Sequence, residues 1–247
     1  MKSAIIGGSG CQQIVQPDDQ CISVSTPYGS VDLFEHTVEE DTMYLLLRHA
    51  KGHIVPPHKI NYRAQIAALR SLGVTQAIGL YAVGSITSLV LPGTIGMIDQ
   101  FIDFTGAARE STFYDGTDEV VRHVPMVQPY SYRLRTVIAE CATALHIPVA
   151  LKGTYVCTNG PRLETPAEIA MFRKWGADVV GMTAATETIL AREAGIDFAA
   201  LVYSVNWAAG LDAEGFSFIE EEIAQRVVAD LNRLAQSALL HDTAQSV

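Results

Sequence analysis

The chain has 247 residues, 49% of them hydrophobic and 18% charged, with 19 glycines and a formal net charge of -10. That composition suits a well-buried α/β core and argues against intrinsic disorder. The acidic balance, with no block of Lys and Arg, argues against nucleic-acid binding through a basic face; it leaves room for a small anion, because phosphate is held by local donors.

The amino terminus, MKSAIIGGSG, reads as a short strand at residues 4–6 running into a glycine turn. It lacks the apolar length of a signal peptide, and no segment reaches the roughly 20 apolar residues that span a bilayer. A cytoplasmic protein without membrane contact is expected. Residues 44–47 form a second strand, ending at Arg48-His49. Residues 62–72 have helical spacing, with Ile66, Leu69 and Leu72 on one face and Asn61 as N-cap. Strands follow at 77–83, ending at Gly84-Ser85, and at 96–102, where alternation is weak. A helix is expected at 132–145, a strand at 149–156, and a helix at 166–175 with Pro166 in its first turn. Residues 179–182 read as a strand, 187–194 as a helix, 198–205 as a buried strand, and 218–240 as a long amphipathic helix.

Strands and helices alternate throughout, which predicts a largely parallel or mixed sheet covered by helices. With no repeat, low-complexity segment or linker, residues 1–247 read as one domain. The four cysteines, Cys11, Cys21, Cys141 and Cys157, form no CxxC pair, so reduced thiols are expected.

The segment GTYVCTNGPRLETPAE at 153–168 is the richest in the chain. An apolar run stops at a Thr-Asn-Gly-Pro turn carrying Arg162 and Glu164, and such strand ends are where α/β sheets place ligands. Other strand ends carry small, hydroxyl or basic residues: Ser9, Arg48-His49, Ala82, Thr158 and Thr183. One site gathering these segments is predicted.

The turn Gly7-Gly8-Ser9-Gly10 can expose backbone N–H groups beside a hydroxyl. It matches neither a dinucleotide-binding fingerprint nor a Walker loop. Arg48 adds a fork of donors and His49 a polar ring, and the set suits a tetrahedral oxyanion. The competing reading makes Arg48 a surface ion-pair residue and His49, His53 and His58 exposed loop histidines. A metal on those histidines is disfavoured by the neighbouring Arg48, Lys51 and Lys59.

Six stretches in order, IIGGSG, RHAKGHIVPPHKINY, AVGS, DQFID, GPRLETPAE and GMTAATE, together resemble the trimeric purine nucleoside phosphorylase and methylthioadenosine phosphorylase family. The resemblance covers nearly the whole chain. It implies an α/β fold with a mixed, barrel-like central sheet surrounded by helices. It also implies a homotrimer and phosphorolysis of a nucleoside, with inorganic phosphate as co-substrate and no metal or organic cofactor. Ser9, Arg48, His49, Ala82 and Thr183 would hold phosphate, Met182 would lie against the ribose and Leu163 on the base. His123 would reach a neighbouring subunit's pocket. Two departures stand out: Tyr81 replaces a smaller polar residue, with consequences expected at the phosphate site, and Ala184-Ala185-Thr186 lacks a proline usual before Glu187, which could shift Thr183.

The methylthioadenosine branch resembles a pattern with serine where Glu164 stands and aspartates where Asn206 and Ala208 stand. Glu164 and Asn206 therefore resemble the branch that reads 6-oxopurines. The chemistry agrees: hypoxanthine has a proton on the ring nitrogen beside its carbonyl, and an ionised carboxylate accepts it, whereas adenine offers a lone pair there. Ordinary nucleoside phosphorylases resemble a pattern with a histidine near the last helix. Here Trp207, Phe216, Phe218 and Ile219 stand instead, an apolar wall suited to a methylthio group. The expected reaction is S-methyl-5′-thioinosine plus phosphate giving hypoxanthine and 5-methylthioribose 1-phosphate, with Glu164, Asn206 and His49 as catalytic residues. The alternatives are an inosine/guanosine phosphorylase, a methylthioadenosine phosphorylase, a hydrolase, and a binding module without turnover.

Overall fold

In the computed structural model, which describes residues 2–8, 10–38, 41–117, 121–213 and 215–244, the strands are β1 (Lys2–Gly7), β2 (Gln20–Thr26), β3 (Gly29–Val38), β4 (Asp41–Leu47), β5 (Gln76–Ser85), β6 (Ile95–Ile98), β7 (Gln100–Asp103), β8 (Val149–Ala150), β9 (Thr154–Cys157), β10 (Val179–Gly181) and β11 (Asp197–Trp207). The helices are α1 (Tyr62–Ser71), α2 (Tyr132–Ala144), α3 (Pro166–Lys174), α4 (Ala184–Ala194) and α5 (Glu221–Ala244). Among the described residues no helix is long and apolar enough to cross a membrane.

β5 has no charged residue and is buried along nearly its whole length, as a strand covered on both faces must be. It is the branch point of one mixed 11-stranded sheet. Its first half pairs in parallel with β1, its last residues pair antiparallel with β10, and β11 runs parallel to it along the other side. Alternate residues face opposite layers. Ala77, Tyr81 and Val83 of β5 join Phe198, Ala200 and Val202 of β11 against α1 and α4, while Ile78 and Leu80 join Ala199, Leu201 and Tyr203 against α2 and α5. α3 covers a smaller cluster around Val156, Phe172 and Val180.

Four expectations change, the first being that α4 starts at Ala184 and not at 187. Residues 96–102 are two strands broken at Asp99, and 149–156 are two strands broken at 151–153. The breaks face each other: Gly153 donates its N–H to Asp99 Oδ1 at 3.0 Å, and Asp99 donates its own to Gly153 O at 3.1 Å. Because β6 pairs with β11 and β7 with β9, the circuit from β5 through β10, β9, β7, β6 and β11 returns to β5 across the covalent step at Asp99. The hydrogen-bonded ladder itself is not closed there, so the sheet is barrel-like only in this sense. The edge hairpin of β2 and β3 went unforeseen because its Ser- and Thr-rich alternation is half exposed. The last helix starts at Glu221, not 218, leaving Phe216 and Phe218 in a coil tied to β11 by Ile219 N–H donating to Val205 O at 2.8 Å.

Leu231 of α5 is completely buried against β11 and α2. Leu231→Ala should cost about 2–5 kcal/mol through lost transfer energy and a residual cavity, read as a lower urea midpoint with unchanged slope.

Candidate functional site

The parallel strands β1, β4, β5 and β11 end on one side of the sheet, and an open cavity of about 290 Å³ lies there. Arg48, His49, Ala82 and Thr183 line it together with Leu163, Glu164, Met182, Asn206, Phe216 and Phe218. β10 brings Met182 and Thr183 to Ala82 because it runs antiparallel to the end of β5, with Val180 opposite Gly84. Ser9 lies outside the described residues. His123 is exposed in a coil and does not line its own chain's cavity. Trp207 and Ile219 also do not line it, so the apolar wall is made by Phe216 and Phe218 alone of the four.

Arg48 is not a surface residue. It is 2% exposed, and its Nε and Nη2 donate to the two carboxylate oxygens of Glu187, the second at 2.9 Å. Nη1 donates to Leu80 O at 3.0 Å and Nη2 to Ile6 O at 3.2 Å. Tyr81 completes the cluster. Its ring lies 4.4 Å from the guanidinium carbon and its hydroxyl donates to Glu187 Oε2 at 2.6 Å. Tyr81 thus braces the ion pair. Burial opposes the charge on Arg48, but Glu187 outweighs it and holds the guanidinium protonated. Burial, then Glu187, pushes the Tyr81 hydroxyl well up, so it stays a donor.

Four donations by Arg48 go to the protein, which leaves one of the five N–H groups of a guanidinium for a ligand. Its charge is largely cancelled by Glu187. Gly8 is needed beside it, since a Cβ there would collide with Arg48 Nη1. Neutral donors therefore count as much as charge at this end of the cavity.

His49 Nδ1 lies 2.7 Å from Val55 O, which makes Nδ1–H the donor and leaves Nε2 as an acceptor. Burial lowers its pKa to about 4, with Arg48 and the neighbouring His53 acting in the same sense, so the ring is neutral near pH 7. His53, whose ring centroid is 4.1 Å away, also lines the cavity. Thr183 occupies the N-cap position of α4 but makes no side-chain cap bond. Tyr155 Oη instead accepts from Thr183 N–H at 3.2 Å, leaving the Thr183 hydroxyl for a ligand. The missing proline does not displace Thr183 from the cavity.

Glu164 sits between the strand-end turn and α3. Thr165 and Glu168 form a reciprocal capping box and Pro166 opens the helix, which fixes where the preceding residue stands. Thr158 Oγ1 donates to Glu164 Oε1 at 2.7 Å. Burial raises the Glu164 pKa, opposed by that hydrogen bond. Asn206 follows a bulge at Val205 that breaks the register between Ser204 and Asn206; such bulges re-aim side chains. Its Nδ2 donates to Trp207 O at 2.6 Å, leaving Oδ1 and a second N–H. Phe216 and Phe218 meet edge to face at 5.1 Å and are 48% and 63% exposed.

Sequence reasoning left Glu187 without a role and passed over His53 as a site residue. A signal for Glu187 existed: an arginine at the end of a buried strand needs a carboxylate, and Glu187 is set among apolar and small residues of α4. Glu187→Gln would leave the buried guanidinium uncompensated, and the loss should be about 3–5 kcal/mol of unfolding free energy. A urea titration showing stability within ~1 kcal/mol of the parent would contradict the role of this pair.

The model of the Phosphorylase superfamily matches residues 2–240. The 6-oxopurine nucleoside phosphorylase of Pyrococcus furiosus is 42% identical over 242 residues, 96% of this chain and 91% of that protein. The probable S-methyl-5′-thioinosine phosphorylase of Xanthomonas campestris is 42% identical over 226 residues, 88% of each. Among solved structures, methylthioadenosine phosphorylase from Schistosoma mansoni in complex with tubercidin superposes with a TM-score of 0.89 at 30% identity, covering 98% of this chain and 92% of that one. With a family match from end to end and the strand-end cavity in place, the chain belongs to the phosphorylase superfamily.

Proposed function

We propose that the protein cleaves 6-oxopurine nucleosides by phosphorolysis, with S-methyl-5′-thioinosine as its preferred substrate. One observation carries the base assignment: Glu164 and Asn206 line the same cavity as Arg48, His49 and Thr183. Glu164 has one oxygen occupied by Thr158 and retains acceptor capacity for the ring N–H of a 6-oxopurine. The relatives compared above carry names for both oxo- and aminopurine substrates, so residue chemistry rather than overall identity decides between them. At the sugar end, Phe216 and Phe218 favour a methylthio group over a hydroxyl, which would be left unpaired against them.

In this reading phosphate rests on Ser9, Arg48, His49, the Ala82 backbone and Thr183. A phosphate oxygen attacks the anomeric carbon as the bond to the purine nitrogen breaks, through a transition state with oxocarbenium character. The electron pair of that bond leaves with the base, where an Asn206 N–H donates to its imidazole side and Glu164 holds the ring N–H in place; the departing base then takes a proton from solvent. His49 Nε2 accepts from a protonated phosphate oxygen. Holding both reactants in one cavity contributes on the order of 7–11 kcal/mol. Leu163 packs on the base and Met182 on the ribose. No metal or organic cofactor takes part. His123 serves a neighbouring subunit's cavity in a homotrimer, which its exposure supports.

Phosphate-dependent release of free base should be fastest with methylthioinosine, slower with inosine and slowest with methylthioadenosine and adenosine. Release at equal rate without phosphate would make the protein a hydrolase, and a preference for inosine would move the 5′ assignment. Glu164→Ser combined with Asn206→Asp should remove most 6-oxopurine turnover, a selectivity change of roughly 10⁴ being the scale for such buried polar matches, with some gain on 6-aminopurines.

The pH profile has a defined sign. The ionised form of Glu164 binds the base, and its pKa is raised by burial. Hence kcat/KM for methylthioinosine should fall on acidification at a higher pH than an ordinary carboxylate would give. In Glu164→Gln that acid limb should be absent, and its persistence would assign the limb to another group.

A further inference from the structure

Arg109 lies in the coil between β7 and α2, half-buried and without a role in the reading above. Its guanidinium makes five hydrogen bonds, all to uncharged oxygens. Nε donates to Asn159 Oδ1 at 3.1 Å. Nη1 donates to Met182 O at 2.5 Å and Tyr62 Oη at 3.2 Å. Nη2 donates to Asn159 O at 2.6 Å and Thr158 O at 3.3 Å. The neighbouring carboxylate Glu110 is turned away, paired with Arg63.

We infer that Arg109 is the positioning residue for nucleoside recognition, clamping the base-reading loop, the end of β10 and the Pro57 segment into one frame. Each acceptor leads to a cavity residue. Thr158, held through its carbonyl, bonds Glu164 through its hydroxyl. Asn159 precedes Gly160, which has φ 62° and packs so closely on Met182 Sδ that a Cβ would collide with it. Met182, held through its carbonyl, faces the ribose in the proposed site, while Thr183 beside it is held separately by Tyr155. Tyr62 accepts from Arg109 and donates to Pro57 O at 2.9 Å, and Pro57 lines the cavity. Two loops that share no backbone ladder beyond the strand ends are thus joined by one planar fork. An ammonium has three donors on a single atom and cannot span five acceptors in this plane.

The inference rests on the proposed nucleoside site, and its test separates the two. In Arg109→Ala and Arg109→Lys, the KM for methylthioinosine should rise by about tenfold or more, within the roughly 10²-fold that a misplacement near 1 Å can cost, while the KM for phosphate changes less than about twofold. The preference for methylthioinosine over methylthioadenosine should shrink in both variants. Added guanidinium ion at millimolar concentration should restore the nucleoside KM of Arg109→Ala but leave Glu164→Gln unchanged. Asn159→Ala, which removes a single acceptor, should shift the nucleoside KM in the same direction by a smaller factor and keeps the test available if the arginine variants fold poorly. A nucleoside KM within twofold of the parent in Arg109→Lys, or equal loss in both KM values with no restoration by guanidinium, would overturn the inference. If the parent enzyme itself shows no preference for 6-oxopurines, the base assignment fails, while the contrast between the two KM values still decides the role of Arg109.

Discussion

The buried ion pair between Arg48 and Glu187 is the constraint around which the rest is arranged. Neither charge is exposed, with side-chain accessibilities of 1% and 0%, so each must be met by the other or by a fixed dipole. Desolvation of such a pair costs nearly as much as its attraction returns, and its value lies in geometry. Arg48 closes β4, Glu187 sits in the first turn of α4, and the same guanidinium reaches the carbonyls of Ile6 in β1 and Leu80 in β5. Three strands and a helix are thereby locked at the point where the cavity begins. Tyr81 adds a hydroxyl and a ring, and it fits only because Gly79 has no Cβ to collide with its hydroxyl.

This arrangement sets the electrostatics of the anion end. A guanidinium neutralised by Glu187 and an imidazole kept neutral by burial present little net positive charge. In the proposed site, phosphate binding would then rest on oriented N–H groups and hydroxyls, which suits a phosphate that must leave attached to a sugar. A more cationic site would hold both reactant and product tightly, and equal stabilisation of ground and transition states gives no gain in turnover.

The proposed base end uses a different device. Its polar groups stand on a loop and after a strand bulge rather than within the ladders, and loops need an external brace to be precise. Arg109 is such a brace, and the capping box of α3 is another. The two ends are joined through Met182 and Thr183, adjacent residues at the end of β10, one carbonyl tied to Arg109 and one hydroxyl left open at the cavity.

The alternation of strands and helices, the long buried runs of β5 and β11, the Asn61 cap and the first turn of α3 were all legible in the residues, because local periodicity and capping chemistry report them directly. So were most of the strand-end residues that line the cavity, since a polar side chain ending an apolar run has few other uses. The β2–β3 hairpin was not legible, because a half-exposed edge needs no strong apolar alternation. The breaks at Asp99 and 151–153 escaped notice for another reason: each is stabilised by the other across the sheet. Its apolar setting in α4 marked Glu187, but its pairing with Arg48, like the role of Arg109, was decided by tertiary structure. One lies 139 positions from its partner Arg48 and the other joins segments 47 to 73 positions away, and no local pattern encodes which distant acceptor a guanidinium will find once the chain has closed around it.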